Sequence, residues 1–156
     1  MVEKRGVRRL ALILIVFTLS SALGSVTAMA AELSDYRWQR RPLLVFAPTV
    51  NDPRVVETLS RIEASRCDFV TRDMVLGLVM SQGNSTLDGQ AISSEQSRRL
   101  LRQYGIDEGA FSVVLIGKDG GEKLRVDEVP DLPAIYAVID GMPMRSHEID
   151  DDRSQC

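Results

Sequence analysis

Few side chains in this 156-residue chain could carry covalent or metal chemistry, and their spacing restricts them further. The two cysteines, Cys67 and Cys156, are far apart, with no Cys-x-x-Cys pair. As a thiolate, Cys67 could attack a disulfide or a peroxide, provided a positive environment lowered its pKa. In an oxidising compartment the two thiols could bridge instead. Cys156 ends a polar tail that could reach many places, so a buried, unpaired Cys67 is the expectation. His147, the one histidine, stands near Met142 and Met144, and thioether with imidazole suits Cu(I). Met142 follows Gly141 at a helix end, however, where an apolar side chain commonly packs back on the helix. No metal site and no cofactor are therefore expected. A Ser/His/Asp arrangement is not arguable with a single histidine in the tail. The pairs Asp107-Glu108 and Asp127-Glu128 lie in connections, with nothing to mark them as acid and base.

Recognition chemistry is better represented. Tyr36-Arg37-Trp38-Gln39-Arg40-Arg41 is basic and holds the only tryptophan. Arginine and tryptophan are the side chains most often found as interface hot spots, and a guanidinium fork grips a carboxylate at two points. Arg37, Trp38, Arg40 and Arg41 are thus candidate binding residues, forming a surface with the loop before Pro53. The competing expectation packs Trp38 over the sheet edge and leaves the arginines solvated. Arg54, in the first turn of an expected helix, is suited to hold a carboxylate or phosphate there, with Asp52 beside it as cap and partner. Lys118-Asp119-Gly120-Gly121 could cradle an anion on successive amides. It lacks the Gly-x-x-x-x-Gly-Lys-Ser/Thr spacing of a phosphate loop, and a plain hairpin turn is expected. Arg72 and Asp73 are expected to pair with each other and fix a loop.

The elements that position these residues follow from the hydrophobic pattern. Val113 to Ile116 are apolar at four successive positions, the mark of a central strand buried on both faces. The Asp119-Gly120-Gly121 turn leads from it into an alternating strand with one wet face. Leu43 to Ala47 and Met74 to Met80 are two further strands. Pro53, at the first helical position after Asp52, starts a helix with an apolar stripe of Val55, Val56, Leu59 and Ile62. Ser93 or Ser94 caps a second helix, with Gln96 in capping-box position relative to Ser93, Leu100, Leu101 and Tyr104 facing inward, and Gly105 at its end. Asp131 caps a third, containing Leu132, Ile135, Tyr136 and Ile139, which Gly141 and Pro143 stop. Ser81 to Ala91 is expected to be a mobile polar loop. The order strand, helix, strand, helix, strand, hairpin strand, helix gives an α/β fold: a mixed four-stranded sheet with helices on both faces.

The N-terminus sets a compartment. Lys4, Arg5, Arg8 and Arg9 precede an apolar block, Leu10 to Leu19, and Ala28-Met29-Ala30 follows. This reads as a signal peptide over residues 1–30 cut before Ala31, with the mature protein periplasmic or secreted. The block is shorter than the ~20 residues of a membrane span. Without Glu3 and those four bases, the 19 basic and 22 acidic residues become 15 and 21, a net charge of −6. That balance argues against nucleic acid or an anionic membrane as partner and leaves a protein or an anionic small molecule. Oligomeric state is not legible. Residues 31–147 suit one domain, and residues 148–156 read as a solvated acidic tail with Glu148 and Asp150 to Asp152.

Four blocks carry a resemblance to a known family. They are Leu33-x-x-Tyr36-Arg37-Trp38-x-x-Arg41-Pro42-Leu43-Leu44-Val45-Phe46-Ala47-Pro48, then Arg72-Asp73-Met74, then Leu115 to Gly121 with Lys123-Leu124-Arg125, and Ile139-Asp140-x-Met142-Pro143-Met144-Arg145. Together they are similar to domain-of-unknown-function family 4174. That family comprises small exported bacterial proteins, and its domain also occurs in animal extracellular-matrix proteins of the sushi-repeat and coiled-coil-domain kinds. The element order resembles that of thioredoxin, and the hairpin resembles the equivalent turn of peroxiredoxin-type proteins. The resemblance therefore implies a thioredoxin-like fold and brings no established chemistry. In a thioredoxin the first strand ends in Phe, and Cys-Gly-Pro-Cys begins five positions later, at a helix N-terminus whose dipole lowers a thiol pKa. Counted from Phe46, those positions are Asn51-Asp52-Pro53-Arg54, with the proline kept and both thiols gone. The implied function is a redox-inactive thioredoxin-like binding or interaction module and not an enzyme. The alternatives are an atypical thiol oxidoreductase or peroxidase using Cys67, and a copper-binding protein using Met142, Met144 and His147.

Overall fold

A computed structural model describes residues 31–148; the expected signal peptide and the tail beyond Glu148 lie outside the described residues. No helix among the described residues is long and apolar enough to cross a membrane. In chain order, a short 3-10 turn at Leu33–Tyr36 leads into β1 (Arg41–Ala47), α1 (Pro53–Ala64), α2 (Arg66–Val70) and β2 (Met74–Met80). Then come β3 (Ser85–Leu87), β4 (Gln90–Ile92), α3 (Ser94–Tyr104), β5 (Ser112–Ile116), β6 (Glu122–Val126), α4 (Leu132–Asp140) and α5 (Arg145–Glu148). β1 and β2 run parallel through the α1–α2 crossover, as a parallel pair requires. β5 lies antiparallel on the other side of β1 and pairs onward with β6.

The sheet has six strands, in the order β4-β3-β2-β1-β5-β6, where the sequence pattern predicts four. The two extra strands come from Ser81 to Ala91, the segment expected to be a mobile loop. Asp88 and Gly89 there hold positive φ of 51° and 76°, the geometry of a two-residue hairpin turn. Leu87 and Ile92 are buried on either side of that turn. Strands of three residues are too short for a period of two to register in the sequence.

Strand alternation sends neighbouring residues to opposite faces. Leu43, Val45, Val113 and Leu115 pack with Val55 and Ile62 of α1 and with Leu132, Ile135 and Ile139 of α4. Leu44, Phe46, Val114 and Ile116 pack on the other face with Leu100, Leu101 and Tyr104 of α3. Both faces are therefore covered, as the apolar run of β5 requires. Ser93 makes both bonds of its capping box with Gln96, and Gly105 ends α3 in the left-handed region at φ 61°. Asp131 precedes α4 without a side-chain capping bond. The buried stripe of α1 is Val55, Thr58 and Ile62, while Val56 faces solvent. Thr58 is tolerated inside because its hydroxyl donates to the Arg54 carbonyl at 2.7 Å.

Cys67 differs from its expectation. It lies on α2, an element the sequence pattern does not reveal, where Phe69 turns inward and Cys67 outward. It is exposed and disulfide-bonded rather than buried and free. Cys156, the sequence's other cysteine, lies outside the described residues.

Candidate functional site

The loop from Pro48 to Asp52 carries β1 into α1, the place where a thioredoxin keeps its thiols. Asp52 caps α1 by accepting from the Arg54 amide at 2.9 Å. The same carboxylate takes Arg54 Nε at 3.0 Å and Nη2 at 2.7 Å. Hydrogen bonding from Arg54 holds the Asp52 carboxyl below its ordinary value despite some desolvation. The guanidinium also lies 4.6 Å from the centre of the Phe111 ring. Arg54 and Asp52 thus satisfy each other, and the helix start is capped by the chain's own carboxylate.

Arg37, Trp38, Arg40 and Arg41 stand at the opposite end of β1. Seven strand residues at about 3.3 Å each place them roughly 20 Å from Arg54. The five candidate residues consequently do not form one surface. The Tyr36–Arg41 segment is a tight turn, with the Gln39 and Arg40 amides donating to the Tyr36 carbonyl. Trp38, in the left-handed region at φ 68°, donates its amide to the Lys118 carbonyl at 2.6 Å. Its ring is 61 % exposed, stacked on by Arg37 at 5.2 Å, and does not cover the sheet edge.

Alternation along β1 divides the arginines. Pro42 points to the α3 face and Arg41 to the α4 face. On the α3 face, Arg37 and Arg40 join Arg99 of α3 around a groove of about 570 Å³. Leu33, Tyr36, Leu100 and Ile116 give it an apolar lining. The pairings of these arginines are long and exposed: Arg40 lies 3.5 Å from Asp73, and Arg99 lies 3.4 Å from Glu32. Contacts of that kind contribute little. Among the described residues, Arg37 has no carboxylate partner within ion-pair distance. The neighbouring Lys118–Gly121 turn is the hairpin expected. Asp119 accepts from the Gly121 amide at 3.0 Å and from Lys123 at 2.6 Å, so its own carboxylate occupies any nest there.

On the other face, Arg41 enters a buried ion network. Its side chain is 1 % exposed and reaches Glu148, which also meets Lys118 Nζ at 2.8 Å and Arg145 at 3.6 Å. Lys118 donates to Asp73 at 2.7 Å. Arg72 grips both oxygens of Asp140, at 3.0 and 2.8 Å, and lies over Tyr136. The expected Arg72–Asp73 pair is thus replaced by two separate partnerships, since Asp73 takes φ 53° and turns its carboxylate the other way. Glu148 is a docked residue, not part of a solvated tail. Of the methionines near His147, Met142 packs partly buried against the core. Met142 and Met144 line a small cavity with Arg41, Lys118 and the Lys123–Asp119 ion pair, and His147 is not among the residues that line it.

The profile of one protein family, described as domain of unknown function (DUF4174), matches residues 32–148, three quarters of the chain. The chain belongs to the DUF4174 family. Coiled-coil domain-containing protein 80 of Danio rerio is 28 % identical over 133 residues, covering 75 % of this chain and 15 % of that protein. The chain thus spans about a seventh of that relative's length. Among solved structures, Plasmodium yoelii Prx1a superposes with a TM-score of 0.53 at 21 % identity, over 76 % of this chain and 81 % of that one. Plasmodium vivax 2-Cys peroxiredoxin, reduced, gives a TM-score of 0.55 at 15 % identity, over 76 % and 85 %. The fold of this DUF4174 domain is therefore the thioredoxin-like one that peroxiredoxins share.

Two parts of the site were not legible in the sequence. Arg99 sits in the polar face of α3, where nothing separates it from Arg98. Glu148 sits in an acidic run whose composition reads as solvent-facing. Lys118 and Asp73 did stand out, but as a turn residue and as a partner of Arg72.

Proposed function

We propose that this DUF4174 domain is an exported, redox-inactive binding module that takes a carboxylate-bearing ligand in the Arg37–Arg40–Arg99 groove. The observation that carries this reading is the groove itself. Its volume of about 570 Å³ lies in the range of small-molecule and peptide side-chain pockets. Three guanidinium groups with weak or no internal partners surround an apolar floor. Such a site suits a ligand with an apolar body and carboxylates at its edge, whether free or within an acidic peptide. Asn51 and Arg54 stand where a thiol pair would be needed, and neither can form a mixed disulfide. The disulfide at Cys67 suits an oxidising compartment outside the cytosol.

A peroxidase using Cys67 is the rival reading, drawn from the peroxiredoxin neighbours. It needs a free thiolate at the start of α1, and Cys67 lies beyond that helix, on α2, and is disulfide-bonded. Trp38, the only tryptophan, sits beside the groove and reports on it. Titration with tetraglutamate and with glutarate should each give a saturable change in its fluorescence if carboxylates are the determinant. Response to tetraglutamate alone would assign a peptide ligand. Arg37→Ala with Arg99→Ala should remove the response. Peroxide consumption or disulfide reduction by the natural chain, abolished by Cys67→Ser, would overturn the module and establish the enzyme.

A further inference from the structure

Cys67 carries a bond that the described residues do not complete. It sits exposed on α2 and is disulfide-bonded. The sequence offers one other cysteine, Cys156, at its very end. Within a single chain, only a bridge from Cys67 to Cys156 is possible. The fold puts that closure within reach. Beside Cys67, Asp68 meets Arg72 at 3.1 Å. Arg72 meets Asp140 of α4 at 2.8 Å, and Asp140 meets Arg145 of α5 at 3.5 Å. A relay of ion pairs thus leads from α2 to α5 at one end of the sheet. Cys156 lies eight residues beyond Glu148, and eight extended residues span up to about 28 Å.

What such a bridge would hold is α5. This helix has four residues and packs on α4, and one turn of helix has no stability of its own. Its anchors are Arg145, which is buried, and Glu148, which meets Arg41 at 2.9 Å and Lys118 at 2.8 Å. Chain entropy opposes those contacts, and a covalent tie on the C-terminal side of α5 lowers that opposition. We infer that the C-terminal segment is a redox-released strap: a Cys67–Cys156 disulfide latches α5 onto the α4 face, and a dithiol reductant unlatches it. Exposed disulfides are the labile, regulatory kind. In the release step a thiolate of the dithiol attacks one bridge sulfur and breaks the S–S bond. The second thiol then closes the dithiol's own disulfide, so two electrons and two protons pass to Cys67 and Cys156. With the tie gone, docking of α5 depends on its non-covalent contacts alone. This inference does not rest on the groove reading, since the groove lies on the opposite face of the sheet.

A peptide map of the air-oxidised natural chain should join the Cys67 and Cys156 peptides, with the intact protein at monomer mass. Amide exchange then reads the latch. After dithiothreitol, protection across Arg145 to Glu148 should fall roughly tenfold, a coupling of ordinary size between linked sites, while β1 and β5 stay protected. The chain has no further cysteine on which the reductant could act. Cys156→Ser should show the faster α5 exchange without reductant and no change on adding it. Protection of β1 and β5 in that variant reports that it is folded. Two free thiols in the oxidised protein, or a Cys67–Cys67 link between two chains, would overturn the inference. So would α5 exchange that neither reduction nor Cys156→Ser moves.

Discussion

Trp38 holds a backbone conformation that costs an L-residue energy, and it spends its ring on solvent. Its φ of 68° is forced by the tight Tyr36–Arg41 turn, whose amides are tied to Tyr36 and Lys118. A left-handed non-glycine residue costs roughly 1–2 kcal/mol, and glycine returns about 0.5–1 of that through its greater unfolded freedom. Trp38→Gly should therefore stabilise the fold by about 0.5–1 kcal/mol in denaturant titration. The same substitution removes the ring on which Arg37 stacks, so tetraglutamate binding followed by calorimetry should weaken. A glycine variant less stable than the natural chain would show that the indole contributes packing its exposure does not suggest.

At the scale of elements, the sheet tolerates little extra volume where β1, β2 and β3 cross the α3 face. Gly77 pairs with Leu44 on one side and Leu87 on the other. A Cβ at Gly77 would stand 2.5 Å from Leu44 Cδ2 and 3.1 Å from Leu87 Cδ1. Both leucines are fully buried, so their side chains cannot swing into solvent to make room. Gly77→Ala should cost about 1–3 kcal/mol in thermal or chemical unfolding, the usual price of overpacking. A neutral result would mean that Leu44 has a second rotamer within the core.

For the whole molecule, the two faces of one sheet differ in character, an open groove on one and a buried ion network on the other, and acid should separate them. Burial alone would raise the Glu148 pKa, but hydrogen bonds and charge from Arg41 and Lys118 outweigh it and leave the group below its ordinary 4.5. Arg145 on α5, Asp73 before β2 and Asp140 on α4 complete the surroundings it titrates in. A carboxyl lowered on folding contributes stability in full above its unfolded pKa and loses it as pH falls through the folded one. Docking of α5, followed by exchange at its amides, should thus hold above about pH 5 and weaken steadily below it. Glu148→Gln should flatten that dependence. An unchanged acid profile in the variant would place the titrating group elsewhere.

Most of the secondary structure was determined by the sequence alone. Four consecutive apolar residues rich in β-branched types and closed by a glycine turn read as a strand buried on both faces, and β5 is one. Asp52-Pro53, Ser93 with Gln96, and Gly105 fix helix ends through local hydrogen bonds and φ angles that need no distant partner. The absence of thiols at Asn51 to Arg54 was equally plain, because it is a matter of residue type. The candidate site was legible only in its ingredients. Arg37, Arg40 and Arg41 are close in sequence, yet the pleat of β1 turns Arg41 to one face while its neighbours open on the other. Arg99 joins the groove across sixty residues, and Glu148 meets Arg41 across more than a hundred. Such pairings depend on strand order, which local pattern does not encode. Only the tertiary structure decides them, because side-chain charge becomes a site once the sheet has brought distant charges within a few ångströms and excluded the water between them.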